Sequence, residues 1–165
     1  MRRLSIVLGL LLFGTIAWAC GDKLMLVMGS RFAQIKPLHP AAILLYPGRS
    51  ASAELLRGFQ SQPAFRKAGY RFQLVEDAAG LDNALKSGKY DLVVADVADA
   101  NELSQQVSSA ASKPILLPAA FKASKEEQST ARRKYHCLLK VPGNSENYLE
   151  AIDQAMELKL KGATR

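Results

Sequence analysis

The run Leu92-Val93-Val94-Ala95, bounded by Asp91 and Asp96, constrains the fold more than any other stretch of this chain. It is continuously apolar rather than alternating, so a strand made from it has to be covered on both faces. Strands of that kind sit in parallel sheets between two layers of helix. Asp96 closes the strand. In open α/β sheets the carboxyl ends of the strands are where ligands and chemistry gather, so Asp96 is the first candidate for a functional residue.

The chain around this segment alternates in the same way. Ala42 to Tyr46 reads as a first strand, stopped by Pro47-Gly48. Ser50 is a helix N-cap candidate, and Ala51, Leu55 and Phe59 recur at helical spacing. Tyr70 to Val75 is a second strand, Leu81 to Lys86 a short helix between Gly80 and Gly88, and Asp91 to Ala95 the third strand. Leu103, Val107 and Ala110 mark a helix. Pro114 to Leu117 reads as a fourth strand stopped by Pro118, Glu126 to Lys134 as a polar helix, and His136 to Val141 as a fifth strand. Leu149, Ile152 and Met156 line a closing helix that begins near Asn144 or Ser145. With right-handed crossovers this pattern predicts a three-layer α/β sandwich around a five-stranded parallel sheet.

The first 40 residues are of another kind. Arg2 and Arg3 precede an apolar run from Leu4 to Ala17, and Ala17-Trp18-Ala19 fits the cleavage pattern of a secretory signal. Cys20 follows directly, as in the lipobox of bacterial lipoproteins, although Ala17 stands where Leu is usual. Lipid attachment at Cys20, ordinary secretion and a retained signal segment all stay open. Residues 1–19 are read as signal peptide, 20–40 as a lead-in or tether, and 41–161 as the folded domain. The expected location is periplasmic or extracellular. Any membrane contact is expected only through a lipid on Cys20 or a retained signal segment.

Charge and composition narrow the functional classes. Removing Arg2 and Arg3 lowers the net charge from +7 to +5, a mild and scattered excess. Its one cluster, Arg132-Arg133-Lys134 beside Tyr135, reads either as a solvated helix end or as a surface for an acidic partner. Nucleic acid is not an expected partner of an exported chain. Two cysteines, Cys20 and Cys137, do not build a disulfide framework. His39 and His136 have no ligand spacing, and no triad or nucleophile elbow is visible around Ser50 or Ser52. No cofactor, metal or enzymatic activity is expected from these patterns.

The strand order and spacing resemble the receiver domain of bacterial response regulators, the CheY-like fold. Ala42 to Leu45 is similar to its first strand, Val75 to Ala79 with Ala84-Leu85 to its second strand and helix, and Asp91 to Asp96 to its third strand with the terminal phosphoacceptor. His136 to Pro142 is similar to its fifth strand with its lysine, although the family usually has Pro directly after that Lys. The resemblance implies a sheet order of 2-1-3-4-5, Asp96 at the phosphoacceptor position and Lys140 as its paired cation. It also implies gaps. The two metal-holding acids of the first strand are replaced by Tyr46-Pro47-Gly48, and the hydroxyl of the fourth strand falls on Pro118-Ala119-Ala120. Mg²⁺ competes poorly against its own hydration with so few carboxylates, and phosphoryl transfer depends on neutralising charge there.

The leading expectation is therefore an exported, non-catalytic receiver-like module that binds a protein partner in signalling or envelope assembly. By resemblance its partner surface includes Arg132, Arg133, Tyr135 and Lys140. The alternative is a phospho-accepting receiver of a phosphorelay using Asp96. A pocket at the carboxyl edge of the sheet, with Arg49, Asp77, Asp96 and Lys140 as polar anchors, is a third expectation, and Glu76 with Asp77, at the end of the neighbouring strand, is a candidate substitute acid pair.

Overall fold

The computed structural model describes residues 39–50 and 52–163. The expected signal segment, Cys20 and most of the expected lead-in lie outside the described residues. Strands β1 (Ala42–Tyr46), β2 (Arg71–Leu74), β3 (Leu92–Asp96), β4 (Ile115–Phe121) and β5 (Leu139–Val141) form one sheet in the order β2-β1-β3-β4-β5. Every neighbouring pair is parallel. The fold class is the one the sequence pattern implies, because strands buried on both faces leave no other economical arrangement.

Alternation along the strands divides the core. On one face Ile43, Leu45, Val94, Leu117, Ala119 and Leu139 pack under α1 (Ala53–Gly58), a 3₁₀ turn (Phe59–Ser61), α2 (Pro63–Lys67) and α6 (Ser145–Ala163). Phe59, Phe65 and Tyr148 meet there with centroids 4.8–6.2 Å apart. On the other face Leu44, Val93, Ala95 and Leu116 pack under α3 (Ala78–Lys86) and α4 (Val97–Ser109). Ala120 and Leu138 meet Ala131 of α5 (Lys125–Tyr135). The central strand β3 is buried from end to end.

Four local expectations are corrected. The helix read on Ala51, Leu55 and Phe59 covers only Ala53–Gly58 and runs into the 3₁₀ turn, and a second short helix, α2, follows before Gly69. Gln62, immediately before Pro63, is extended at φ −72°, ψ 121°, as the proline ring requires of its predecessor, and Pro63 restarts a helix at its first turn. Ser50 does not cap α1; its hydroxyl donates to Pro47 O at 3.0 Å. Strand β4 runs straight through Pro118 to Phe121. Ile115 N–H bonds Asp91 O on the β3 side, and Lys122 N–H bonds Val141 O on the β5 side. By alternation Pro118 faces β5, whose ladder starts only opposite Ala119, so the missing N–H removes no bond. The fifth strand is shorter than its sequence suggests because His136 ends α5 in the left-handed region, φ 62°.

The amino end of β3 is tied by Asp91. Its Oδ2 accepts the Ala42 N–H at 2.9 Å, and its Oδ1 accepts Lys159 Nζ at 2.6 Å. Its backbone N–H donates to Ala42 O at 2.8 Å, and its carbonyl accepts the Ile115 N–H at 2.9 Å. One residue thus joins β1, β3, β4 and α6. Partial burial pushes the Asp91 pKa up, but the Ala42 N–H and the Lys159 ammonium, with Arg71 farther off, outweigh it and hold the carboxyl below its usual range. Asp91→Ala should lower unfolding free energy by about 1–2 kcal/mol at neutral pH. A depressed folded pKa contributes stability above the ordinary carboxylate range, which is lost as pH falls through the folded value. Urea melts of parent and variant should therefore differ at neutral pH and converge in acid.

Candidate functional site at the carboxyl edge of the sheet

Asp96 ends β3 and begins α4. Its Oδ1 accepts the Ala98 N–H at 2.9 Å, which makes it the N-cap of that helix. Its Oδ2 accepts the Ser52 hydroxyl at 2.5 Å. Ser52 is fully buried and Asp96 is 8% exposed. Ser50 Oγ lies 3.0 Å from Ser52 Oγ, but the Ser50 proton goes to Pro47 O and the Ser52 proton to the carboxylate, so the two hydroxyls touch without a further hydrogen bond. Ser52 stands at the N-cap position of α1 but caps nothing, because its hydroxyl is directed at Asp96. The charge is held by hydrogen bonds in an otherwise closed position, the condition under which a buried carboxylate is tolerated.

The expected partnership of Asp96 with Lys140 is absent. Lys140 is exposed, and among the described residues no ion pair joins the two. The reason is register. In the receiver pattern the lysine directly precedes the proline; here Val141 does, and Val141 is 2% exposed. A one-residue offset in a strand turns the side chain to the opposite face, so Lys140 points away from the position its neighbour fills. It lines a surface groove with Arg132 and Arg133 instead.

Glu76 and Asp77, the acids at the end of β2, are also committed. Glu76 receives two hydrogen bonds from Arg57, at 3.0 and 2.8 Å, and the Arg57 hydrogen bonds hold its carboxyl below the usual range. Asp77 caps α3, accepting the Gly80 N–H at 2.6 Å. Arg49 is exposed, and no hydrogen bond or ion pair links it to Asp96. The structure therefore does not gather Arg49, Asp77, Asp96 and Lys140 into one pocket. Among the described residues no group of three or more His, Cys, Asp or Glu side chains is placed to hold a metal ion. Cys137 is a buried thiol whose pKa burial pushes up to about 11, and its Sγ lies 3.4 Å from Tyr135 O.

Asp99 is the residue the sequence reading missed. It lies one turn along α4 from Asp96, and its Oδ2 is buried without a hydrogen-bond partner. That oxygen sits 2.5 Å from where a Cβ on Gly48 would lie, and Gly48 has φ +56°. Both the backbone conformation and the close approach demand glycine at 48. Desolvation, then the charges of Asp96 and Glu102, push the Asp99 pKa up. The D-x-x-D spacing on a helix start is the signal that would have exposed it.

Ser52→Ala should destabilise by about 1–3 kcal/mol, since it leaves a buried carboxylate oxygen without its donor. A double-mutant cycle with Asp96→Ala should show coupling above about 0.5 kcal/mol; a cycle with no coupling would remove the Ser52 bond from the account. Asp99 has a raised folded pKa, so the folded protein keeps a proton that the unfolded chain has released, and stability falls as pH rises through that window. Thermal melts of Asp99→Asn should lack this slope and lie roughly 1–3 °C above the parent at neutral pH.

No family model matches the chain, and no curated protein matches its sequence. Solved structures do resemble it. The signal receiver domain of a two-component histidine kinase from Clostridium thermocellum aligns with TM-score 0.51 and 13% identity, over 71% of this chain and 98% of that one. The signal receiver domain of a Luxo repressor protein from Vibrio parahaemolyticus aligns with TM-score 0.54 and 13% identity, over 76% and 97%. NtrX from Brucella abortus, solved with ADP, aligns with TM-score 0.57 and 15% identity over 76% of this chain. The match spans only 28% of the length of NtrX. The chain has a CheY-like receiver fold.

Proposed function

We propose that this chain is a receiver-fold signalling module that acts by binding a protein partner and in which Asp96 serves the fold rather than phosphotransfer. One observation carries the reading: both oxygens of Asp96 are engaged, by a buried hydroxyl and a helix N-terminus. A phosphoacceptor has to present an oxygen to its donor and to share the developing charge with a metal and a cation. Here Ser52 occupies one oxygen, Asp77 caps α3, Glu76 pairs with Arg57, and the lysine faces another surface. The working surface is then the α5–β5–α6 face, with Arg132, Arg133 and Lys140, while Tyr135 lies on the side of α5 that meets α4. Tyr135 and Lys134 both donate to Asn101 Oδ1, which fixes the end of α5 against α4. The leader pattern supports a location outside the cytoplasm, free or held by lipid on Cys20, where a cytoplasmic kinase does not reach the module.

Incubating the purified chain with acetyl phosphate and Mg²⁺ should leave its intact mass unchanged. A phosphoryl-sized gain that disappears in Asp96→Asn would favour the phosphorelay alternative. Mass spectrometry of the N-terminus of the exported protein checks the lipid on Cys20. Capture from envelope extracts should recover a partner with the parent chain and lose it with Arg133→Glu.

A further inference from the structure

The amino edge of the sheet carries a cavity that the reading above does not use. It has a volume of about 490 Å³ and lies between the loop before β4 and the second half of α6. Ala111, Ile115, Leu158 and Gly162 give it an apolar wall, and Ser112, Lys113 and Lys159 supply its polar groups. Ile115 and Leu158 pack only partly against the core, so part of their apolar surface faces the cavity they line. A cavity of this size, mostly apolar with a few polar groups, has the form of a small-molecule site. It shares no residue with the groove of Arg132, Arg133 and Lys140.

Two features of the loop on this cavity cost the fold stability. Lys113 has φ 44°, a left-handed conformation that a residue with a side chain adopts only under strain. Its N–H closes a turn on Ala110 O at 2.9 Å. Ser112 Oγ is buried without a hydrogen-bond partner, and a buried polar atom left unpaired is destabilising. The charge on the cavity has one sign. Lys113 is exposed and, among the described residues, is in no ion pair. Lys159 is held by Asp91 at 2.6 Å. Among the described residues none that lines the cavity is acidic.

We infer that this cavity binds a small anionic amphiphile, of the class of a medium-chain carboxylate, with its chain on Ile115 and Leu158 and its head group on Ser112 and Lys113. A head-group oxygen supplies the partner that Ser112 Oγ lacks, and the Lys113 ammonium gains an opposite charge. A neutral ligand leaves the lysine unused, and a short anion leaves the apolar wall in water. The left-handed turn keeps both polar residues on the cavity, which gives the strain at Lys113 a purpose. The inference goes beyond the protein-binding reading and does not depend on it.

The test titrates the purified chain with monomeric octanoate. Octanol is the probe without the charge and butyrate the probe without the chain. Amide NMR shifts at Ser112, Lys113 and Leu158 should locate the bound octanoate. Octanoate should bind at least about tenfold tighter than butyrate, since each buried methylene contributes about fourfold. It should bind at least about fivefold tighter than octanol at low salt, and that advantage should shrink as salt rises. Lys113→Gly should weaken octanoate binding yet raise the melting temperature of the unliganded chain, because glycine takes the left-handed turn without strain. Ser112→Ala should weaken binding and leave the unliganded chain at least as stable as the parent. A Cβ at Gly162 meets nothing within 4 Å, so Gly162→Leu should fold as the parent does and occlude the cavity. Octanol or butyrate binding as tightly as octanoate, shifts confined to other amides, or full affinity in Lys113→Gly would overturn the inference. So would phosphatidylglycerol vesicles that hold the chain through Lys113 while octanoate does not bind. None of these failures touches the capture of a protein partner through Arg133, so the two readings fail separately.

Discussion

The burial of β3 on both faces is the constraint from which the rest follows. A strand with no solvent face needs neighbours on both edges and helices on both sides. That requirement produces the parallel order β2-β1-β3-β4-β5 and splits the core into two layers. It also confines charge to the two ends of the strand. Asp91 and Asp96 stand there, and the fold satisfies each one internally. At the amino end the partners are a β1 N–H and the Lys159 ammonium; at the carboxyl end they are the Ser52 hydroxyl and the first turn of α4.

The two ends differ in what they leave for function. At the amino end the carboxylate pairs with a cation from α6, an arrangement that locks four elements together. At the carboxyl end a catalytic or ligand-binding acid would be exposed and supported by further charges. Instead the Ser52 hydroxyl donates to Asp96, and Gly48 brings the loop after β1 so close that Asp99 packs against it. The likeness to receiver domains extends to the path of the backbone.

Charge appears instead on the α5–β5–α6 face. Cations in the last turn of α5 have a local explanation in the helix dipole, whereas Lys125 and Lys140 have none. Their convergence on one surface is a property of the tertiary fold, since Lys125 and Lys140 are separated in sequence by all of α5 and the turn after it.

Much of the architecture was legible in the sequence. Continuous apolar runs at Ala42–Tyr46 and Leu92–Asp96, separated by helical spacing and closed by Gly or Pro, have few solutions other than a parallel α/β sandwich. The position of Asp96 at a strand end was legible for the same reason. Side-chain partnerships were not. The bond from Ser52 to Asp96 spans 44 residues, and no local pattern encodes it. The strand through Pro118 depended on where β5 begins, and the break at Gln62 on how one proline restarts a helix. Lys140 was misplaced by one residue of register, which in a strand is a change of face. Periodicity reports which residues face inward, because that is a property of consecutive positions. Which charges meet at the end of a strand is decided only when distant loops are brought together, and that is the work of the tertiary structure.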